Sequence, residues 1–181
     1  MQSYPRLKDH AFVQQHYEAI IGQACAQLLK AAEAQARAVA DTRTVCVDLM
    51  AAVCHPLPWR VMQEMTGIPA ADVPQAARLV HIMGAFVGMP FDLERMRAAA
   101  AARDDMLALI TKWVEQDLRP EHADDPVHHL FAYWYHRRVF SSFSELEANI
   151  VMFLFAGTHN LENVLAHAVV GTATYIDGLL D

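Results

Sequence analysis

Asn149-Ile-Val-Met-Phe-Leu-Phe-Ala-Gly-Thr-His-Asn-Leu-Glu-Asn163 is the stretch on which the fold turns. Residues 150–156 are an unbroken apolar run that ends abruptly at Gly157, Thr158, His159 and Asn160. An apolar run of this length belongs in a core. The four residues after it are poor choices for a helix interior, because they restrict rotamers, compete for backbone bonds or add backbone entropy. A polar break inside an otherwise strong element marks a functional or strained site. The element itself reads as a helix. Ser144 and Glu147 have capping-box spacing: the Ser hydroxyl takes the N3 amide and Glu147 reaches back to the cap amide, with Phe143 placed to staple the lead-in. Gly171 is the candidate terminator, which predicts a helix of about 26 residues, long for a globular protein. Its apolar half is expected to be buried on all sides and is too short to span a bilayer.

Outward from this element almost every segment reads as helix. Residues 12–37 carry Phe12, Ile20, Ile21, Ala24, Leu28 and Ala31 near a 3.6 period. A polar turn at 41–44 leads into 45–52, a short helix or an extended lead-in. Pro56 and Pro58 break the chain, and 59–66 is a short helix stopped by Gly67 with Pro69 beyond it. Residues 72–87 are helical with Pro74 in the first turn, where proline is tolerated. Gly84, Gly88 and Pro90 make the next break; Asp92 opens a helix over 93–118, ended by Pro120. Asp124, Asp125 and Pro126 cap a helix over 127–137. No segment makes a strand ladder. The expectation is an all-α fold in a single domain, 1–181.

Composition narrows the function classes. The 181 residues are enough to bury a sizeable core. A net charge of −7 argues against nucleic acid and against an anionic membrane surface as partners. Cys25, Cys46 and Cys54 are odd in number and lack paired metal spacing, which fits reduced thiols in a cytoplasm. The first residues, Met1 to Arg6, carry no apolar signal region, so no export is expected.

Several pieces in sequence resemble one family, the cytochrome P-450 monooxygenases of the soluble bacterial type. Arg6-Leu-Lys-Asp-His-Ala-Phe12 is similar to the end of that family's C helix. Val47-Asp48-Leu49, Pro56-Leu57-Pro58 and Val61-Met-Gln-Glu-Met-Thr-Gly67-Ile68-Pro69 look like its E-helix region. Phe143 to Glu147, followed by Phe155-Ala156-Gly157 and Asn163, resembles the I helix, whose motif is Ala-Gly-x-(Asp/Glu)-Thr. The resemblance runs from about residue 4 to 176, and it is the order and spacing of the motifs that carry it. It implies a partial P-450-like fold, from the C-helix end through the I helix. The family's thiolate loop, Phe-x-x-Gly-x-x-x-Cys, and its later Glu-x-x-Arg helix have no counterpart; Glu94 and Arg97 match the latter formally but precede the I helix. The acid of the I-helix motif falls at His159 and its Thr at Asn160, so the acid–alcohol pair that in the family relays protons to bound dioxygen is absent. The expectation is therefore a haem-free protein with no cofactor. Leaving Phe153, Leu154 and Phe155 in water costs roughly 1.5–3 kcal/mol per side chain, so the fold is expected to be completed by a homodimer whose I helices lie near the axis.

Candidate site residues follow. His159 can act as acid or base or bind metal. It shares a helix face with Phe155, Asn163 and His167; the alternative is a local pair with Glu162 or with a backbone carbonyl freed near Gly157. Asn160 joins His159 as a catalytic candidate, while Thr158 and Asn163 would position a substrate oxygen. By resemblance, the segment with Met83, Phe86, Met89 and Phe91 is the F–G region that roofs a substrate pocket, and Phe155 and Met152 would line it; plain core packing is the competing explanation. His55 is expected to be a satisfied buried histidine, His128, His129, His122 and His136 to lie on a solvated helix with no zinc pattern, and His10 and His16 to be exposed. Phe131, Tyr133, Trp134 and Tyr135 read as core or interface.

Three functions remain open at this point. The first is non-redox tailoring of an apolar small molecule, of the cyclase, isomerase or dehydratase type, in secondary-metabolite biosynthesis. The second is a non-catalytic auxiliary of a partner enzyme, as with relatives that lack the haem cysteine and activate glycosyltransferases. The third is haem held by a histidine such as His159.

Overall fold

Asp92 shows how local sequence sets the architecture. Its carboxylate accepts the amides of Glu94 at 3.0 Å and Arg95 at 3.1 Å, so the chain turns sharply into a helix. The computed structural model describes residues 10–39, 47–88 and 91–180. Residues 6–9, the 41–44 turn, Val45, Cys46 and Met89 lie outside the described residues. The structure is all-helical, at 82% helix, with no strand among the described residues.

Among the described residues six α-helices follow in order: α1 (His10–Val39), α2 (Pro56–Thr66), α3 (Val73–Gly88), α4 (Leu93–Lys112), α5 (Leu130–His136) and α6 (Phe143–Leu180). A π-helical turn, Met50–Cys54, precedes α2, and a second, Trp113–Asp117, extends α4. Gly67 ends α2 in the left-handed region (φ 73°), and its amide bonds to the Gln63 carbonyl.

α3 and α4 form the most extensive helix pair. Asp72, just before α3, holds the far end of α4. Its carboxylate accepts from Lys112 Nζ at 2.8 and 2.9 Å and from Trp113 Nε1 at 2.8 Å. The Lys112 bond, then the Trp113 bond, outweigh burial and hold the Asp72 carboxyl below the usual range. α6 crosses α2, α3, α4 and α5. The core lies between them, with Leu79, Met106, Ile110, Trp113, Phe131, Ile150 and Leu154 fully buried. Phe131, Trp134, Phe140 and Phe153 close one end through ring contacts of 5.3–6.0 Å, so Phe131 and Trp134 of α5 belong to the core while Tyr135 is exposed.

Several expectations are corrected. α6 starts earlier, because Ser142 rather than Ser144 caps it: Ser142 Oγ accepts from the Glu145 amide at 3.1 Å, and Glu145 reaches back to the Ser141 amide at 2.9 Å. It also runs through Gly171, since one interior glycine costs only about 1 kcal/mol. Its apolar run is not an uncovered surface. Leu154 and Ile150 are fully buried, and Phe153 and Phe155 pack against the core. The chain itself covers these four side chains, while Met152 of the same run is 61% exposed. The helix expected over 127–137 begins only at Leu130, because the Asp125 carboxylate takes the amides of Val127 and His128 in a turn of its own. Among the described residues no helix is long and apolar enough to cross a membrane.

Candidate functional site

The π-helical turn closes when the His55 amide bonds to the Met50 carbonyl at 3.0 Å. Single π turns recur at functional sites because they displace the residue that follows. Here they set His55 directly before Pro56, whose fixed φ starts α2. Cys54 faces inward and is fully buried. Burial, then the nearby Asp48 charge, push its thiol up, away from the reactive thiolate. His55 turns outward. Its Nδ1 lies 3.2 Å from a carboxylate oxygen of Glu162, on α6.

This pair joins residues 107 positions apart in the chain. The Glu162 side chain is 17% exposed and that of His55 54%, so the carboxylate is sheltered and the ring is open to solvent. A proton on Nδ1 donates to Glu162 and leaves the Nε2 lone pair free, the arrangement in which a carboxylate orients a general base. His55 lines a cleft of about 510 Å³ between α2 and α3. Trp59, Val73, Pro74 and Ala77 supply apolar wall, and Arg60 and Gln63 supply polar groups. Two sequence expectations are thereby corrected: His55 is exposed rather than buried, and Glu162 takes His55 rather than His159 as its partner.

His159 sits at a different contact. Its ring stacks on Phe155, with centroids 5.2 Å apart. A Cβ on Gly84 of α3 would stand 2.8 Å from its Cε1. The missing side chain at Gly84 is what lets the imidazole fill the α3–α6 contact. Met83, next to Gly84, is half-buried against the core, as is Phe155, and Phe86 is half-buried further along α3. The remaining expected residues do not converge there. Thr158 is sealed in the core, its Oγ1 donating to the Leu154 carbonyl at 2.7 Å, which leaves no hydroxyl for a substrate. Asn163 is exposed and donates to the His159 carbonyl at 3.1 Å. Asn160 is exposed, Met152 is 61% exposed and Phe91 fully so. The cleft at α2–α3, the one at the α5–α6 corner and the one beside α1 do not include His159.

The haem that P-450 monooxygenases carry does not fit against Ala156–Gly157 of α6. A Cβ on Gly157 would stand 1.7 Å from the Met62 Cε, so α2 already fills that face of α6. Of the described cysteines, Cys54 is buried under the π turn and Cys25 lies on α1. Among the described residues no group of three or more His, Cys, Asp or Glu side chains is placed to hold a metal ion.

No family model, no curated protein and no solved structure matches this chain. The site is therefore read from its own chemistry.

A second cluster joins residues that the sequence scatters. His16 of α1 meets His128 edge-on at 4.8 Å, and His122 stacks on His129 at 3.6 Å. His129 also covers Gly67, where a Cβ would stand 2.3 Å from its Nδ1. His16, His128 and His129 are half-buried, so neither the solvated helix nor the exposed His16 is found. Burial, then the His122 charge, hold the His129 ring below the usual histidine range, against the pull of Asp125. The cluster clamps α1 and the end of α2 to the segment before α5.

Proposed function

We propose that this chain is a P-450-like helical protein that binds an apolar small molecule between α2 and α3 and moves a proton on it without redox chemistry. His55 is the acid–base group, and Glu162 is the positioning residue that orients it. The observation that carries this reading is the 3.2 Å His55–Glu162 pair at a cleft of about 510 Å³ with a largely apolar wall. Cyclisation, isomerisation and dehydration each need a proton moved at one atom of a substrate held in one orientation. Tailoring of secondary metabolites is a natural setting for such chemistry. The P-450-like part rests on the sequence motifs alone: the E-helix motif ending Gly67-Ile68-Pro69, the Met- and Phe-rich segment from His81 to Phe91, and Ala156-Gly157. No step through haem is proposed, because Met62 fills the glycine face.

The test uses an apolar ketone, 2-octanone, in D2O. Its α-proton exchange, followed by NMR, is expected to be accelerated by the protein and to fall by about a hundredfold or more in His55→Ala. Exchange no faster with the wild-type chain than with His55→Ala would remove the reading.

A second reading has a specific observation behind it. Met152, Val164 and Val170 of α6 are each more than half exposed. A homodimer or a partner enzyme would cover them, and the chain would then serve as an auxiliary. Light scattering distinguishes the two, since a monodisperse monomer with exchange activity leaves only the first.

A further inference from the structure

Arg60 stands on the rim of the α2–α3 cleft, and its side chain is exposed. Among the described residues no ion pair is found for it; Asp72 is paired with Lys112 and Glu162 with His55. Arg60 also reaches the neighbouring cleft beside α1, where Glu64, one turn further along α2, stands with it without pairing to it. In a chain of net charge −7, a guanidinium left over beside an apolar wall is a local exception to the overall field. Guanidinium groups match carboxylates in a planar, two-bonded fork. His55 and Arg60, five residues apart in the chain, both line this cleft. Trp59, Val73, Pro74 and Ala77 lie along the same cleft.

We infer that the ligand of this cleft is an apolar carboxylate, its anionic head held by Arg60 and its hydrocarbon body lying along Trp59, Val73 and Ala77. This deepens the proposed function and rests on the α2–α3 cleft being the ligand site. It adds a specificity that the His55–Glu162 pair alone does not give: a neutral molecule of the same shape binds more weakly.

Octanoate and octan-1-ol are the probes, alike in length and different in charge. The full chain, labelled with 15N, is titrated with each, and the amide shifts of Gln63, Val73 and Ala77 report on the cleft. Octanoate is expected to bind about fivefold more tightly than octanol. Arg60→Gln should bring the two to within about twofold, Arg60→Lys should keep most of the preference, and circular dichroism should show both variants folded. Equal affinities in the wild-type chain, a preference that survives Arg60→Gln, or shifts that map to the α5–α6 corner would each overturn the inference. The outcome separates from that of the ketone exchange. Arg60-dependent octanoate binding without ketone exchange removes the proton transfer and keeps the carboxylate site. Exchange without any octanoate preference does the reverse.

Discussion

Leu154→Ala, set beside Met152→Ala, tests whether one chain buries its own apolar run. The two residues lie two positions apart on α6. Leu154 is 0% exposed, within the cluster that holds Ile150, Leu146 and Phe131, whereas Met152 is 61% exposed. Removing a fully buried leucine forfeits its transfer free energy and leaves a cavity, together about 3 kcal/mol. In a chain of 181 residues each kcal/mol shifts the Tm by about 2–4 °C, so Leu154→Ala should lower it by about 6–12 °C. Met152→Ala changes an exposed position and should stay within about 0.5 kcal/mol, or about 1–2 °C. Thermal unfolding by circular dichroism, at low and at high protein concentration, reads both. Equal costs at the two positions would refute the reasoning. So would a Leu154→Ala loss that depends on concentration, since the run would then be covered by another molecule.

Three further outcomes are expected. Asp72→Asn removes the charge that ties Lys112 and Trp113 to the start of α3 and should cost about 1.5–3 kcal/mol in urea unfolding at neutral pH. Because the folded-state Asp72 is held below its ordinary range, its contribution is complete above the unfolded value of about 3.9 and fades as pH falls through the depressed one; a stability profile of Asp72→Asn that keeps the wild-type acid slope would contradict this. His129 is also depressed, but for a base the sign differs: the unfolded chain takes up the proton first, so stability present above about pH 6.5 is lost as pH falls below it, and His129→Gln should flatten that part of the curve. His159→Ala empties the contact over Gly84 and should lower stability by about 1–3 kcal/mol, and the drop should be smaller in a Phe155→Ala background, where the stacking is already lost.

The helices were legible where the chain punctuates itself. Gly67 in the left-handed region, Pro74 in a first turn and Asp92 at a cap each act within a few residues, so the sequence reading places the end of α2, α3 and the start of α4, whereas α2 itself begins at Pro56 rather than at Trp59. It misplaces starts where two signals compete. Ser142–Glu145 and Ser144–Glu147 have the same spacing, and only packing chooses the earlier box. Asp125 has the residues of a helix cap, yet spends its carboxylate on a turn. The burial of Leu154 and Ile150 follows from the apolar run, but which elements cover it does not. The His55–Glu162 pair was illegible for a simpler reason. Its two halves lie 107 residues apart, and the local signs were only a histidine before a proline and an acid one turn beyond His159. Near neighbours along the helix made His159 the natural partner, and the tertiary fold gave Glu162 another. The histidine cluster was hidden in the same way, since His16 reaches it from α1.

The most direct test of the account is 2-octanone exchange measured side by side in the wild-type chain and in His55→Ala, Glu162→Gln and His159→Ala. The account predicts that exchange is lost in His55→Ala, reduced about tenfold or more in Glu162→Gln, whose amide no longer carries the charge that supports a protonated ring, and kept in folded His159→Ala. Exchange kept in His55→Ala and lost in His159→Ala would contradict it and return the site to the middle of α6.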